Sequence, residues 1–439
     1  MIYVAYAALA CVLFATLPIR TAILATYVGG WLALPVGSYV GYHAGFTIEV
    51  IGAMLPAPAM LINKAWVAPV VTLTLAAIRA PRTLLAWRPG PVDLPVLLFC
   101  LWPGIAGFAA LAPSPAPILS CLYLLGVWGA PWLLARVHLA DAAGRIGLAK
   151  AVTIGGLALA PLALAEGVAG PFVYTALYGA HPFVADGTDR YIGFRPLLLF
   201  EDGNQYGIFI ALAALCATAV WRQTRGRAHA VQAAILAGVA ILSQSAGAIL
   251  LMLAGMVLLL VPVGAPLLRR IALGVAGLAL IFAPLYVAGV LPIERLVRHT
   301  APGQRPLAVV RATGRGSIAW RVSQDQKVAG LIRQHPIVGM SRWDWWRPSR
   351  TRPWSLALLL IGQFGLVALG LAAIILLSGG LRMLMTGATP IAVDRGLALV
   401  AVLATLDALL NAFVFVPALV AAGAIASGRS TPRAAGRGR

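Results

Sequence analysis

Charge is what this chain has least of. Only 10% of its 439 residues are Asp, Glu, Lys or Arg, and 13 acidic side chains stand against 33 basic ones. Soluble domains carry roughly a quarter of their residues charged, so an ordinary water-facing globule is excluded. Cysteine is scarce too. Cys11, Cys100, Cys121 and Cys216 all sit inside apolar runs, so no disulfide framework is implied. The six histidines show no His-Glu-x-x-His or paired spacing and no Cys cluster joins them, so no metal site is expected. Walker, Gly-x-Ser-x-Gly and dinucleotide fingerprints are missing, which argues against NTP-driven transport and hydrolase chemistry and leaves no cofactor expected. The first run lacks a basic leader and an Ala-x-Ala site, so it reads as a helix rather than a cleaved signal.

Apolar runs fill the space instead. Mean hydropathy is +0.91. The runs are Ile2–Leu17, Thr21–Gly41, Ile62–Ile78, Val92–Leu111, Ile118–Ala135, Gly147–Gly167, Gly207–Trp221, Val231–Ser243, Ala248–Val263, Ile271–Val290, Ser355–Ser378, Gly396–Leu410 and Val416–Ser427. Most approach the roughly 20 residues a transmembrane helix needs, and they lack the strict alternation of barrel strands. The expectation is an all-α polytopic integral membrane protein of about 12 transmembrane helices. It forms one domain over residues 1–428, followed by a basic tail at 429–439.

Orientation follows from the short loops. Eighteen Lys/Arg, from Arg20 to Arg439, fall on one face if the runs alternate across the membrane. Short-loop positives stay cytoplasmic, so that face and the C-terminus are expected inside. The loops at 168–205 and 291–353 then face outward. The second loop is unusual, with twelve Lys/Arg against three acidic residues over Leu291–Pro353. Either it escapes the charge rule because it is long, or it holds an anion near the bilayer. Nucleic acid is rejected as a partner: the charge is split between faces and no nucleic-acid module is visible. Membrane lipid accounts for the inner positives.

The long loop has internal order. Ser317–Gln334 contains no Pro, and Ile318, Val322, Val328, Leu331 and Ile332 recur at roughly helical spacing. An amphipathic helix is expected there, with Arg321, Gln324 and Val328 along one side and His335-Pro336 as its stop. Trp343, Asp344, Trp345 and Trp346 follow.

Arginine suits a diphosphate, because its planar fork offers parallel donors and stays charged. Arg195 at a membrane edge and Arg321 on the loop helix are the candidate anion ligands. Glu201 and Asp344 are the candidate general bases, drawn from a small stock of outer carboxylates that also includes Asp186, Asp189, Asp202, Glu294 and Asp325. Arg190, Asn204, Arg315, Gln324, His335, Trp343, Trp345 and Trp346 complete the candidate substrate-binding set. Each has a plainer alternative. Arg195 can snorkel to headgroups, Asp344 can pair with Arg342 or Arg347, and edge tryptophans can anchor at the interface rather than stack on sugars. Inside the apolar runs, Glu166 and Asp407 mark either a proton relay or structural anchors.

Four patches carry a resemblance. They are Arg195-x4-Phe200-x3-Asn204; Leu242-Ser-Gln-Ser245-Ala246-Gly247-Ala248; Ser317-Ile-Ala-Trp320-Arg321 running to His335-Pro336-Ile-Val-Gly339; and Leu356-x8-Gly365-Leu-Val-x2-Gly370. Together, over roughly residues 171–370, they resemble the O-antigen ligase and polymerase superfamily of bacterial membrane glycosyltransferases. The resemblance implies a cytoplasmic (inner) membrane location, a periplasmic active site and an undecaprenyl-diphosphate-linked glycan as substrate. It also implies metal-independent transfer, with other polysaccharide-assembly proteins as possible partners. Arg195 and Arg321 are the residues it assigns to the diphosphate. Two positions differ. Ala246 stands where the ligases carry an arginine, and Trp354 where they carry a histidine, which favours an exopolysaccharide or O-antigen polymerase over a conventional ligase. Two rival functions are a flippase or transporter of lipid-linked or anionic glycan, and a non-catalytic scaffold of a polysaccharide secretion complex.

Overall fold

A computed structural model of the chain describes residues 1–37, 62–109, 116–182, 188–190, 192–261, 267, 270–271, 273–274, 277–288, 317–385, 391–412 and 416–426. The basic tail, Asp186, Arg315 and the first part of the long loop lie outside the described residues. Among the described residues the architecture is all-helical, with no strand and one isolated bridge between Asp189 and Phe194. The principal helices are α1 (Ile2–Thr16), α2 (Ile19–Ala33), α3 (Lys64–Arg79), α4 (Leu94–Ala109), α5 (Ala116–His138), α6 (Ala142–Ala169), α7 (Gly203–Thr224), α8 (Arg227–Leu242), α9 (Ala246–Leu260), α10 (Ser317–Ile332), α11 (Leu356–Met385), α12 (Ala392–Ala408) and α13 (Val416–Ile425).

Among the described residues, five segments are long and apolar enough to cross a membrane: Pro91–Ala109, Ala116–His138, Ala142–Ala169, Gly203–Thr224 and Leu356–Leu384. Three shorter apolar helices, α1, α8 and α9, accompany them. Large apolar side chains project outward from many of these helices, including Val4, Ile105, Ile154 and Leu250. Bare in water, such a surface would be costly; in hydrocarbon it is the expected lining. These features make the protein membrane-embedded.

Side-chain caps start several helices. Asn63 accepts from the Trp66 N–H at 3.1 Å ahead of α3, and Asp141 from the Gly144 N–H at 2.7 Å ahead of α6. Asp202 accepts from the Asn204 and Gln205 N–H groups at 2.9 and 2.7 Å ahead of α7. These bonds satisfy amides that a helix N-terminus leaves without partners.

Helix α7 is the axis, with almost every residue from Gly203 to Val220 buried. It packs against α6, α8, α9 and α12. Small residues let the neighbours close in: a Cβ built on Gly396 of α12 would come within 2.4 Å of the Ala219 Cβ. Dispersion between closely packed helices, rather than the hydrophobic effect, holds such interfaces together in lipid.

One end of the bundle is tied by ion pairs: Arg20 to Asp141 at 2.5 Å, Arg136 to Asp93 at 2.8 Å and Arg145 to Asp394 at 2.6 Å. All three arginines belong to the short-loop set expected on the cytoplasmic face. Arg145 and Asp394 are 2% and 1% exposed, so removing one partner would strand a buried charge.

Helix α11 is broken. Gly365 takes φ +78° and ψ −178° in mid-helix, a conformation open essentially to glycine alone. The segment after α10 fills the break. Met340 and Ser341 donate their N–H groups to the Gly362 and Gln363 carbonyls, both at 2.9 Å, and Leu366 donates to the Pro336 carbonyl at 2.8 Å. The Trp102 indole of α4 donates to the Phe364 carbonyl at 2.7 Å. Backbone groups freed by the break are thereby satisfied, as membrane burial requires. Gly339 (φ +72°) meets the Gln363–Phe364 backbone so closely that a Cβ would lie 2.5 Å away. The third and fourth resembling patches thus meet backbone to backbone.

Candidate functional site

The site forms at the end of the bundle opposite the ion pairs, and Glu166 is the anchor of its first half. Helix α6 ends at Gly170, whose φ of +86° turns the chain back on itself. Glu166, wholly buried, then accepts four backbone N–H groups. Phe172 and Val173 donate to its Oε1 at 3.1 and 2.9 Å, and Leu197 and Leu198 donate to its Oε2 at 2.8 Å each. Of the two readings open for this residue, the structural anchor is the one these bonds describe. The clamp fixes the backbone on the C-terminal side of Arg195. On the other side, Phe194 N–H donates to the Gly167 carbonyl at 2.8 Å.

Arg195 lies over the start of α7. Its stem crosses Gly203, where a Cβ would come within 2.0 Å of Arg195 Cδ. Its Nη2 donates to the Gln244 carbonyl at 3.3 Å, and Gln244 in turn donates through Nε2 to the Ile192 carbonyl at 2.7 Å. Ser245 Oγ donates to Asn204 Oδ1 at 3.4 Å. The first and second resembling patches are therefore in contact. Arg190 donates to the Asp189 carbonyl at 3.2 Å beside them. An apolar groove of about 120 Å³ runs alongside, lined by Ala163, Leu164 and Val168 of α6, Leu242 of α8, and Phe194 and Pro196. Arg195 sits between the last two. Val168 is 83% exposed at the rim, so the groove opens on the outer surface of the bundle.

Glu201 and Lys64 occupy the next position. Lys64 is buried; its Nζ donates to the Leu199 carbonyl at 2.6 Å and lies 5.3 and 5.2 Å from the Trp31 and Phe200 ring centres. Burial pushes the Glu201 carboxyl above its ordinary range. The charges of Arg352, Lys64 and His181 pull it back, while Asp202 adds to the rise. The Glu201 N–H donates to Gln205 Oε1 at 2.8 Å, fixing the carboxylate beside the α7 cap.

Arg321 completes the arrangement from the loop helix. Helix α10 spans Ser317–Ile332, against Ser317–Gln334 expected, and buries Val328 and Ile332. Arg321 Nη1 donates to Asn411 Oδ1 at 2.7 Å and to the Leu410 carbonyl at 2.9 Å, just past the end of α12. Its guanidinium stands 5.1 Å from the Trp354 ring centre. Asn411 donates from Nδ2 to Asp407 Oδ1 at 2.9 Å, and Asp407 interacts electrostatically with both Asp202 and Arg321. Arg352 Nη2 donates to the Ala412 carbonyl at 3.2 Å. One turn beyond Arg321, Asp325 Oδ1 accepts from the Trp354 N–H at 2.8 Å, and burial raises its carboxyl to about 6.

Among the sequence-derived candidates, Arg195, Asn204, Glu201 and Arg321 therefore gather about the N-terminus of α7 and the end of α12. Gln324 Oε1 accepts from Lys327 at 3.2 Å on α10. Asp344 is 4% exposed and pairs with Arg347 at 2.6 Å. Trp345 is fully buried on Gly362, and Trp346 is 8% exposed in the same cluster. Trp343 donates to Ser120 Oγ at 2.9 Å and packs edge-on to Tyr123 and Phe364. His335 lies at the turn after α10, where the Gly339 N–H donates to its carbonyl at 2.9 Å. Trp343, Trp345, Trp346 and the His335 turn belong to the packing around the α11 break. Lys64, Arg352 and Asn411 are site members that the sequence did not single out, while Asp325 and Asp407 stood there only as outer or intramembrane carboxylates. Lys64 and Asp407 carried a signal, as charges inside apolar runs; Asn411 lies four residues after Asp407, which places both on one helical face.

Comparison with known proteins adds no relative: no family model, no curated protein and no solved structure matches this chain.

Proposed function

We propose that the protein is a glycosyltransferase of the bacterial inner membrane, with about 12 membrane spans, that joins undecaprenyl-diphosphate-linked glycan units on the periplasmic face, as a polysaccharide polymerase does. The observation that supports it best is an apolar groove whose lining residues Phe194 and Pro196 flank Arg195 in sequence, with Arg321 at the neighbouring end of α12. An isoprenoid tail suits the groove, and its diphosphate then meets two arginines beside buried carboxylates. Arg321 commits only Nη1 to Asn411 and Leu410; Nη2 and Nε have no acceptor among the described residues and are open to a diphosphate.

In this reading an acceptor hydroxyl attacks the anomeric carbon of the lipid-linked sugar. The bond to the diphosphate oxygen breaks, and the electron pair stays on undecaprenyl diphosphate. Guanidinium groups preplaced at the leaving oxygens stabilise the charge that develops. The N-terminus of α7 adds positive potential at the same place.

Arg321→Lys should impair polymer formation nearly as much as Arg321→Ala. Lysine keeps the charge but loses the planar fork, so a bidentate contact to the diphosphate cannot be rebuilt. The expected loss is about 2–3 kcal/mol of transition-state stabilisation, or roughly 30–150-fold in rate. Arg350→Lys, an exposed position in the same loop, should leave polymer length unchanged. Polymer length and expression level are measured together; normal polymer from Arg321→Lys would leave Arg321 as bulk charge and refute the assignment.

A further inference from the structure

We infer that Asp325, rather than any other described carboxylate of the site, is the proton acceptor that activates the incoming sugar hydroxyl. The inference rests on the transferase reading above and deepens it.

The other carboxylates are each held by groups of the fold. Glu166 has both oxygens filled by four backbone N–H groups. Asp202 caps α7 through Oδ1 and takes the Asn204 side chain at Oδ2 at 3.4 Å. Asp344 is paired with Arg347 at 2.6 Å. Asp407 is buried and held by Asn411. Glu201, raised by burial, faces the opposing charges of Arg352 and Lys64 and stands on a different segment from Arg321. Asp325 differs. One oxygen is fastened by the Trp354 N–H at 2.8 Å, which orients the group, and the side chain is only partly buried. Among the described residues its second oxygen has no partner. It stands one turn from Arg321 on the same helical face, since positions i and i+4 are neighbours.

A base must lie within hydrogen-bond reach of the reacting hydroxyl while the arginine holds the leaving group. Arg321 and Asp325 meet that demand from one rigid helix. Trp354 ties them together, with its ring against the guanidinium and its N–H on the carboxylate. The charged group facing Asp325 is Arg321 on its own helix; the segment before α11 presents the Trp354 N–H, and α12 presents Asn411 with Asp407 behind it. A carboxyl raised to about 6 is ionised at neutral pH yet basic enough to accept a proton as the bond forms. In the step, the hydroxyl oxygen bonds the anomeric carbon, its proton passes to Asp325, and the diphosphate departs with the electron pair. Water then takes the proton from Asp325.

The test is initial-rate kinetics on the full-length protein in proteoliposomes, with a defined undecaprenyl-diphosphate-linked repeat unit as donor, across pH 5 to 8. Asp325→Asn should lower kcat by about 10²–10⁴-fold with donor KM within about twofold, because the arginine contacts remain. The wild-type rate should climb with pH through about 6, and this limb should vanish in the variant. Asp325→Glu keeps a carboxylate and should retain measurable kcat with its acid limb displaced. If the Asn variant does not fold, the Glu variant decides: an acid limb identical to wild type overturns the assignment. So does an Asn variant with kcat within about threefold of wild type, or one whose loss lies wholly in KM. Those results leave the transferase reading intact, because wild type still turns over. A wild-type protein that forms no glycosidic bond overturns both.

Discussion

Glu166→Gln isolates the clamp that places Arg195, and its effect can be worked from the four bonds it makes. The substitution changes neither size nor shape. It replaces one acceptor oxygen with an NH2 group that can only donate. Whichever way the amide turns, two N–H groups, either Phe172 and Val173 or Leu197 and Leu198, then face a donor. A hydrogen bond to a charged acceptor contributes about 1.5–3 kcal/mol, and a buried unpaired donor costs about 1–3 kcal/mol. Losing two such bonds should destabilise the protein by about 3–6 kcal/mol. In a thermal scan of the detergent-solubilised protein, that is a fall on the order of 10 °C. Glu166→Asp keeps the charge but is one methylene short, so it should fall between Gln and wild type. The assay reports melting temperature and the accessibility of a Cys introduced at Ile192, 71% exposed beside Arg195. A Gln variant melting within about 2 °C of wild type would refute the reasoning, because it would mean the four short contacts carry no net energy.

Two further outcomes test the frame. Gly365→Ala should abolish recovery of monodisperse protein, since a Cβ there would lie 1.8 Å from the Ile337 carbonyl oxygen at a φ of +78°. Gly370→Ala, five positions on with nothing within 4 Å of the added carbon, should be neutral or slightly stabilising, and equal yields of the two variants would contradict the break in α11. In a chain whose native cysteines are replaced, a single Cys at the exposed Lys327 should react with an impermeant thiol reagent in cells with a permeabilised outer membrane, and one at the exposed Thr224 should not. The reverse pattern would invert the orientation.

The fold was legible where it depends on hydropathy and on stop signals. The loop helix begins at Ser317 as expected and stops at Ile332, because His335-Pro336 forbids its continuation. The break in α11 was not legible. Ser355–Ser378 reads as one continuous apolar run, and hydropathy is blind to a positive φ or to carbonyls satisfied by Met340 and Ser341 from a distant segment. The site was half legible. Arg195, Asn204, Glu201 and Arg321 stand out by residue type. Asp325 was visible only as one of several outer carboxylates; what singles it out is the Trp354 N–H, 29 positions away. Lys64 shows the same limit, since its acceptor, the Leu199 carbonyl, lies 135 positions on. Trp345 was marked as a sugar-stacking residue by its company, but its burial on Gly362 depends on the α11 break, which no local pattern announces.

The most direct measurement of the central claim is transfer by the purified protein in liposomes, supplied with an undecaprenyl-diphosphate-linked repeat unit and no other protein. The account predicts glycan longer than one repeat, with one undecaprenyl diphosphate released for each bond formed. Lipid-linked donor that crosses the bilayer intact, with no bond formed and no undecaprenyl diphosphate released, would contradict it and make the protein a transporter.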